Sequence, residues 1–473
     1  MWQAGGRASH FTASTRRPLL RGRGVTPEEA QEVADRVVGW ARDGEQLEAV
    51  VAWSRSTEVR AYEGEVEHFV GADDLGVGVR VIDAGRTGMS WSGVLDTDAL
   101  EACVAEARDN ATFGTPDPHA GLATDDGVAV TPLDLVDPGL AAVPADDKVA
   151  LALELDARVR AADARIVGHE GADYADVQAV AAIASTTGIR TAEAETSTYA
   201  GIWALASDGT DTTTGFGLTV GRGFAELDID AAVAEAVQRC TALLGARKAA
   251  SERLTVVFDP YVTSQFLGII AEMLSAEEVV RGRSPFAGRL GQTVAADGLT
   301  VFDDPLCAGA PTASSTDGEG IACRRVPLIE SGRLVGLLHN SYTARVMGTA
   351  TTGSASRPSH RAAPGVGPKV VTPQPGPLGH EQVLALVGDG LLVHELAGLH
   401  SGVNPTSGDL SAGVEGVRVR GGEPAEPVRE VTIGSTLQRM LTDVVAVGAD
   451  LRHFPWESAG VTLAIADVTM SGS

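Results

Sequence analysis

A histidine and a glutamate stand side by side at His394 and Glu395, and a second histidine, His400, follows six residues after the first. Many zinc peptidases carry a His-Glu pair and a second histidine, which supply metal ligands and a general base. In a zinc helix the two histidines are four residues apart, so that both imidazoles lie on one face and reach the same ion. The segment from Leu391 to Gly416 therefore raises the question of whether this chain binds zinc itself.

The spacing of the two histidines argues against that interpretation. On a helix, six residues turn the chain by about 600°, which places the two side chains roughly 120° apart. On a strand they would share a face but stand about 20 Å apart. The run Leu391–Val393 predicts a short buried strand. Loop-forming residues follow it: Gly398, Gly402, Pro405 and Gly408. We interpret the segment as a strand followed by a glycine-rich loop.

Two other short motifs are weaker candidates for a functional site. His169-Glu170 with Asp173 has residues of the ligand type but no histidine partner at helical spacing. The run Thr316–Gly320 places the carboxylates of Asp317 and Glu319 in a glycine-enabled tight turn. Because Gly and Asp routinely serve turns, a solvated hairpin turn is the favoured interpretation. A loop facing a substrate or an interface is the alternative.

Composition excludes several classes of protein. The chain has 473 residues and a net charge of −26, which argues against broad contact with a nucleic-acid backbone. Its cysteines are scattered and form no zinc-ribbon spacing, which favours reduced thiols in the cytoplasm: Cys103, Cys240, Cys307 and Cys323. No apolar run approaches the ~18 residues of a membrane helix. We therefore expect a cytoplasmic protein with no nucleic-acid or membrane partner.

Two folded domains are predicted. Residues 1–25 are expected to be a disordered, arginine-rich tail, 26–248 an α+β domain, and 252–473 a β-rich domain with flanking helices. Thr26 and Glu29 form a capping box around Pro27, so a helix begins there. Two hairpins are expected, one pairing 47–54 with 58–62 and one pairing 76–82 with 87–91. The Gly- and Pro-rich residues 351–379 predict an extended loop, and long loops in compact domains are often functional.

Taken in order, several segments resemble the TldD/PmbA family. In the second half they are VVFDPYVTSQFLGIIAEMLSAEEVV, STDGEGIACRRVPLIESGRLVGLLHN, TGSASR, VHELAGLHSGVNPTSGDLSAGVEG and PVREVTIGSTLQRMLTDVVAVGADL. VRAYEGEVEHFVGADDLGVGVRVI in the first half is similar too. The resemblance implies an α+β N-terminal domain, a mainly antiparallel β C-terminal domain and a heteromeric cytosolic metalloprotease.

The resemblance also assigns this chain a place in that complex. TldD subunits carry HExxxH on a helix early in the C-terminal domain, and a cysteine further on. The matching helix here, Pro260–Ile270, has no histidine and no glutamate, and Arg452 and His453 stand near the place of the cysteine. The chain therefore resembles the metal-free TldE/PmbA-type subunit, with no cofactor of its own and zinc in a TldD-like HExxxH partner. No catalytic residue is assigned.

Candidate residues for the substrate chamber or the subunit interface follow from these segments. They are Asp317, Glu319, Arg357, His394, Glu395, His400, Asn404, Asp409, Asp450 and His453. The resemblance implies hydrolysis of peptide or amide bonds in small or unfolded peptides or natural-product precursors, including antibiotic precursors in some members. Two alternatives remain open: a regulatory binding protein without a hydrolase role, and a stand-alone hydrolase with an unrecognised site.

Overall fold

The first helix, α1 (Pro27–Val38), begins where the sequence predicts it. The side chain of Thr26 accepts a hydrogen bond from Glu29 N, and the Glu29 carboxylate accepts one from Thr26 N. This structure, a computed structural model, describes residues 24–472. The predicted tail, 1–25, lies outside the described residues except for Gly24 and Val25, and Val25 is buried in the core.

The N-terminal half forms one antiparallel sheet covered by helices on one face. The strand order is β3-β2-β1-β4-β5-β6. Its elements after α1 are β1 (Gln46–Tyr62), β2 (Glu65–Asp83), β3 (Arg86–Ser92), α2 (Thr97–Phe113), α3 (Ala145–Ala162), β4 (Ile166–Ser185), β5 (Arg190–Ser207), β6 (Thr212–Gly221) and α4 (Ile229–Ala242). Apolar side chains at alternate strand positions pack against these helices in two clusters, one under α1 and α2 and one under α3 and α4.

One predicted hairpin is confirmed and the other is wrong. Strands β2 and β3 pair across Ala84 and Gly85, whose φ values of 47° and 74° are those of a two-residue hairpin turn. By contrast, residues 47–62 form the single long strand β1, which pairs with both β2 and β4. The residues at 55–57 have no Gly, Pro or Asn to reverse the chain, and the turn comes instead at Glu63 and Gly64.

The C-terminal half is built around a second six-stranded sheet, of order β16-β15-β14-β7-β18-β17. Only the pairing of β14 with β7 is parallel within it. Its elements are β7 (Glu252–Phe258), α5 (Pro260–Met273), α6 (Ala276–Val280), β8 (Val301–Asp303), β9 (Val326–Glu330), β10 (Arg333–Leu334), α7 (Ser341–Met347), β11 (Ala355–Ser356), β12 (Gly365–Val366), β13 (Val371–Pro373), α8 (His380–Val387), β14 (Gly390–Ala397), α9 (Leu399–Gly402), β15 (Asp409–Arg420), β16 (Glu423–Thr436), α10 (Leu437–Thr442), β17 (Val444–Val447) and β18 (Leu463–Ser471). The predicted α+β class, with mainly antiparallel sheets, is confirmed.

Residues 351–379 are not the extended loop that their composition predicts. They contain β11, β12 and β13, and β13 pairs with β8 in a smaller sheet of order β10-β9-β8-β13. Val371 is fully buried, and the Asp303 carboxylate accepts hydrogen bonds from the backbone N–H of Lys369 and Val370. The glycines and prolines here separate short strands. The apolar residues between them, such as Val371, are buried in the core. No helix among the described residues is long and apolar enough to cross a membrane.

Candidate functional site at the domain interface

A cavity of about 700 Å³ lies between the N-terminal sheet and the C-terminal domain. Strand alternation creates its floor: on β5 the even-numbered residues from Ala200 to Ala206 pack on the helices, while Glu193, Glu195 and Ser197 face the cavity. Segments from the C-terminal domain form its other wall, among them Pro311, Thr312, Ser314, Asp317, Arg357, His360, Lys369 and Glu457. The cavity therefore exists only because the two halves of the chain pack together.

Carboxylates dominate the charge on this lining. Glu193 accepts a hydrogen bond from Ser314 through one oxygen, while its buried Oε1 has no partner among residues 24–472. Burial raises the pKa of Glu195, although the cations Arg222 and Lys369 oppose the shift. Such a surface is suited to ligands that offer N–H donors or positive charge.

The turn at Thr316–Gly320 is buried, so its interpretation as a solvated hairpin turn is wrong. Asp317 and Glu319 are 4% and 1% exposed. The two oxygens of Asp317 accept hydrogen bonds of 2.9 Å from the backbone N–H of Glu319, Ile321 and Ala355. Gly320 has φ 78°, and a Cβ there would lie 2.5 Å from Ile189 of the N-terminal domain. The turn lies instead at the contact between the two halves of the chain, and the alternative, a loop facing a substrate or an interface, stays a prediction.

A buried ionic network joins the two domains next to this turn. Arg357 from the C-terminal domain and Arg80 from β2 both donate hydrogen bonds to the Glu48 carboxylate of β1, at 2.6 and 2.8 Å. Arg80 also lies 3.9 Å from Glu319. Burial pushes the pKa of Glu48 upward, but the charges of Arg357 and Arg80 outweigh it and hold that pKa below its ordinary value. Two guanidinium and two carboxylate groups thus neutralise one another at the cavity rim.

The pH dependence of stability tests the environment of Asp317. Burial, followed by the charge of Glu319, raises the pKa of Asp317 to about 7. The folded state therefore holds a proton that the unfolded state, with an ordinary carboxyl pKa of about 4, releases. This contribution to stability is complete below pH ~4 and is lost as the pH rises through about 7.

We expect the stability of the wild type to fall relative to Asp317→Asn between pH 5 and pH 8, because the amide carries no titrating proton. Urea unfolding at four pH values measures the difference, with the exposed Glu330→Gln as the control. Parallel pH profiles for the wild type and Asp317→Asn would contradict the assigned pKa.

The His-Glu pair lies on β14, which contains the strand predicted at Leu391–Val393. His394 Nδ1 is 3.5 Å from Asp259, a buried carboxylate that caps α5 and pairs with Arg239. Glu395 stands opposite Glu415 across the strand pair, and burial, followed by the charge of Glu415, raises its pKa. His400 lies apart from both, exposed on α9. The structure does not bring the two histidines together.

The remaining candidate residues have local roles. Asn404 accepts hydrogen bonds from Thr406 N and Ser407 N, and Asp409, the exposed first residue of β15, accepts one from Ser407 Oγ. Asp450 accepts hydrogen bonds from the backbone and side chain of Thr462. His453 lies with its Nε2 3.6 Å from Cys307 Sγ. Only Asp317 and Arg357 of the predicted residues line the large cavity.

Helix α5 borders a second, smaller pocket of about 320 Å³. The helix presents Tyr261, Gln265, Gly268, Ile269 and Glu272 to it. Zinc sites use four ligands drawn from Cys, His, Asp and Glu, and this surface offers one carboxylate. Among the residues that the structure describes, no group of three or more His, Cys, Asp or Glu side chains is arranged to hold a metal ion. The residues on α5 therefore do not fit zinc.

Most of the chain matches known domains. Residues 47–111 match PmbA/TldA metallopeptidase domain 1, residues 138–244 the central domain, and residues 251–472 the C-terminal domain. The chain belongs to the PmbA/TldD metalloprotease family. Helix α5 and its pocket thus lie in the region that matches the C-terminal metallopeptidase domain of that family.

Relatives in this family cover nearly the whole chain. Metalloprotease PmbA of Escherichia coli O157:H7 is 29% identical over 427 residues, which are 90% of this chain and 91% of the relative. A metalloprotease PmbA homologue of Haemophilus influenzae is 27% identical over 418 residues, 87% of this chain and 89% of the relative.

Solved structures share the fold. TldE from Thermococcus kodakarensis superposes with a TM-score of 0.84 at 19% identity, covering 94% of this chain and 99% of that one. A Thermotoga maritima protein described as a modulator of a DNA gyrase gives a TM-score of 0.86 at 23% identity, covering 93% and 100%. At these identities the likeness supports the architecture of the PmbA/TldD family and no finer property.

Sequence reasoning missed the acidic floor of the cavity. Glu193 and Glu195 alternate with alanines in the run Ala192-Glu193-Ala194-Glu195. On a strand this period places both carboxylates on one face. The pattern could have identified an acidic sheet face, but Lys369 and Glu457, which complete the lining, come from distant loops that no local pattern connects with β5.

Proposed function

We propose that this chain is the metal-free subunit of a heteromeric PmbA/TldD-type metallopeptidase, in which a TldD-like HExxxH partner supplies the zinc. The observation that carries the proposal is the pocket face of α5, which lies in the region matching the C-terminal metallopeptidase domain but offers only one zinc-ligand type of side chain, Glu272. The complex would act in the cytoplasm on peptide or amide bonds of small or unfolded peptides, or of natural-product precursors such as antibiotic precursors.

The large cavity supports a role in holding the substrate. It has room for a few residues of peptide, and the carboxylates of Glu193, Glu195 and Glu457 in its lining are suited to accept hydrogen bonds from substrate N–H groups. Holding a substrate in a fixed position converts a bimolecular step into an effectively unimolecular one. A subunit without a metal can contribute to hydrolysis in this way, by orienting the peptide and excluding water around it.

Assembly is the first test. Expressed with an HExxxH homologue, this chain should co-purify with it as a complex whose mass, measured by size-exclusion chromatography with light scattering, equals the sum of both chains or a multiple of it. Obligate interfaces of this kind bury more than ~2,000 Å², so the complex should survive dilution. Elemental analysis should find zinc in the complex and well under one equivalent in this chain alone.

Two results would contradict the proposal. Stoichiometric zinc in the purified chain alone would show that it has a metal site of its own. Failure to associate with any HExxxH homologue would favour a regulatory binding role without hydrolysis.

A further inference from the structure

Cys307 differs from the other cysteines of the chain in its surroundings. Cys103, Cys240 and Cys323 are buried in the core, each no more than 3% exposed. Burial raises the pKa of all three thiols, that of Cys240 to about 11. Because the thiolate is the nucleophilic form, a raised pKa makes these thiols unreactive near pH 7. Cys307 is only partly buried and lies on the loop that follows β8, so it is the accessible thiol of the chain.

The side chain beside this thiol is a base. His453 Nε2 lies 3.6 Å from Cys307 Sγ, the distance of a hydrogen bond to sulfur. Burial lowers the pKa of His453, so its imidazole is neutral at pH 7 and, with its proton on Nδ1, can accept the thiol proton at Nε2. A nucleophile within hydrogen-bond reach of a base is the arrangement that activates cysteine in proteins. The two residues are 146 apart in sequence, so no local motif indicates the pair.

The space around the imidazole suits a small molecule. A pocket of about 660 Å³ between β6 and α4 is lined by His453 and by its neighbour Arg452. Arg452 donates hydrogen bonds of 2.7 and 2.8 Å to Glu235 on α4, so its charge is already engaged. His453 thus both lines a pocket and contacts the thiol, and it is the side chain placed to take up the thiol proton.

The pair links two segments that line the large cavity. Pro311, four residues after Cys307, and Pro455, two residues after His453, both belong to that lining. Cys307 also packs against an apolar cluster that includes Leu135, another residue of the lining. A group attached to Cys307 would therefore lie next to the wall of the cavity.

We propose that Cys307 is a modification site that takes up a small thiol by exchange with a low-molecular-weight disulfide, with His453 as its base. The thiol proton of Cys307 passes to His453 Nε2, and the sulfur attacks one sulfur of the disulfide. A new disulfide bond forms at Cys307 while the bond within the reagent breaks, and the leaving thiolate takes the proton from His453. Cys307 is thus oxidised, and the leaving half of the reagent is reduced to a thiol. The inference does not rest on the proposed function.

Exchange with a neutral disulfide tests the site on the reduced full chain. Bis(2-hydroxyethyl) disulfide is suitable, because a charge of −26 would repel an anionic reagent. A free thiol, with a pKa of about 8.5, is only a few per cent thiolate at pH 7, so a base can raise the reactive fraction at most ~30-fold. Because a stabilised thiolate is also a weaker nucleophile, we expect Cys307 to react about tenfold faster than N-acetylcysteine. Peptide mass mapping should place the adduct on Cys307 alone, whereas in urea all four cysteines should react.

The variant His453→Gln should slow the exchange about tenfold at pH 7 but less than about twofold at pH 10, where a thiol ionises without a base. This comparison separates a base from a side chain that only controls access to the sulfur, since a change in access would alter the rate equally at both pH values. Cys307→Ser should abolish the adduct. The matched control, His400→Gln, removes an exposed histidine on α9 and should keep the wild-type rate at both pH values.

Any of four results overturns the inference. They are the absence of an adduct on the native chain, equally fast labelling of the buried cysteines, a wild-type rate at pH 7 no higher than that of N-acetylcysteine, and a His453→Gln variant whose rate relative to the wild type is the same at pH 7 and pH 10. Circular dichroism checks that the variant is folded at both pH values. If it is not, the comparison of the wild type with N-acetylcysteine still decides, because it needs no substitution.

Discussion

Peptidase activity is expected only when this chain and an HExxxH partner are combined. The chain alone should cleave no peptide, because the α5 surface offers one carboxylate and no histidine. The partner alone should cleave peptides slowly, because the cavity that would orient the substrate belongs to this chain. We expect the mixture to exceed either chain by at least ~10²-fold, since misplacing a single acid–base group costs that much.

A fluorogenic peptide assay at a fixed total protein concentration, with the ratio of the two chains varied, measures this effect. Activity should reach its maximum at the stoichiometry found by light scattering. A chelator should abolish it and added zinc should restore it. A partner in which the motif glutamate is replaced by glutamine is the control, because assembly should persist while cleavage is lost. Full activity from this chain unaided would instead support the stand-alone hydrolase.

Local sequence signals predict the parts of this fold that local chemistry determines. The capping box of Thr26 and Glu29 gives the start of α1, and the two-residue turn at Ala84 and Gly85 gives the pairing of β2 with β3. In both cases the residues that specify the geometry are neighbours in the sequence. The same holds for β14, where a run of apolar residues before His394 predicts a buried strand.

The candidate site could not be predicted in this way, because its residues come together from distant parts of the chain. Glu48 and Arg357 are 309 residues apart in sequence and hydrogen-bonded in the structure. Viewed locally, Asp317 and Glu319 have the composition of a solvated turn. In the folded chain Glu319 lies 3.9 Å from Arg80 of β2, and Asp317 accepts hydrogen bonds from the backbone N–H of Glu319, Ile321 and Ala355. The resemblance to the TldD/PmbA family suggested candidate residues for a substrate chamber or an interface, but only Asp317 and Arg357 among them line the large cavity.

Arg357 is expected to be one of the residues on which the domain interface depends most strongly. Its side chain is 6% exposed and donates hydrogen bonds to Glu48 and to the carbonyl oxygens of Gly318 and Ala362. Replacing one partner of a buried ion pair leaves the other charge uncompensated and costs about 3–5 kcal/mol. We therefore expect Arg357→Met to lower the free energy of unfolding by roughly that amount, somewhat reduced because Arg80 still pairs with Glu48.

Urea unfolding of three variants tests this expectation. Arg253→Met, at an exposed ion pair with Asp467, should change stability by less than about 1 kcal/mol. The double variant Arg357→Met with Glu48→Gln should recover part of the loss, because it leaves one cation, Arg80, facing one carboxylate, Glu319. The double-mutant cycle then gives the coupling energy between Arg357 and Glu48. Deleting residues 354–377 would be a poorer test of Arg357. The deletion would also remove strand β13 and the backbone N–H of Ala355, which donates a hydrogen bond to Asp317. If Arg357→Met destabilises no more than Arg253→Met, the network is not what holds the two domains around the cavity, and the packing of Gly320 against Ile189 becomes the better explanation.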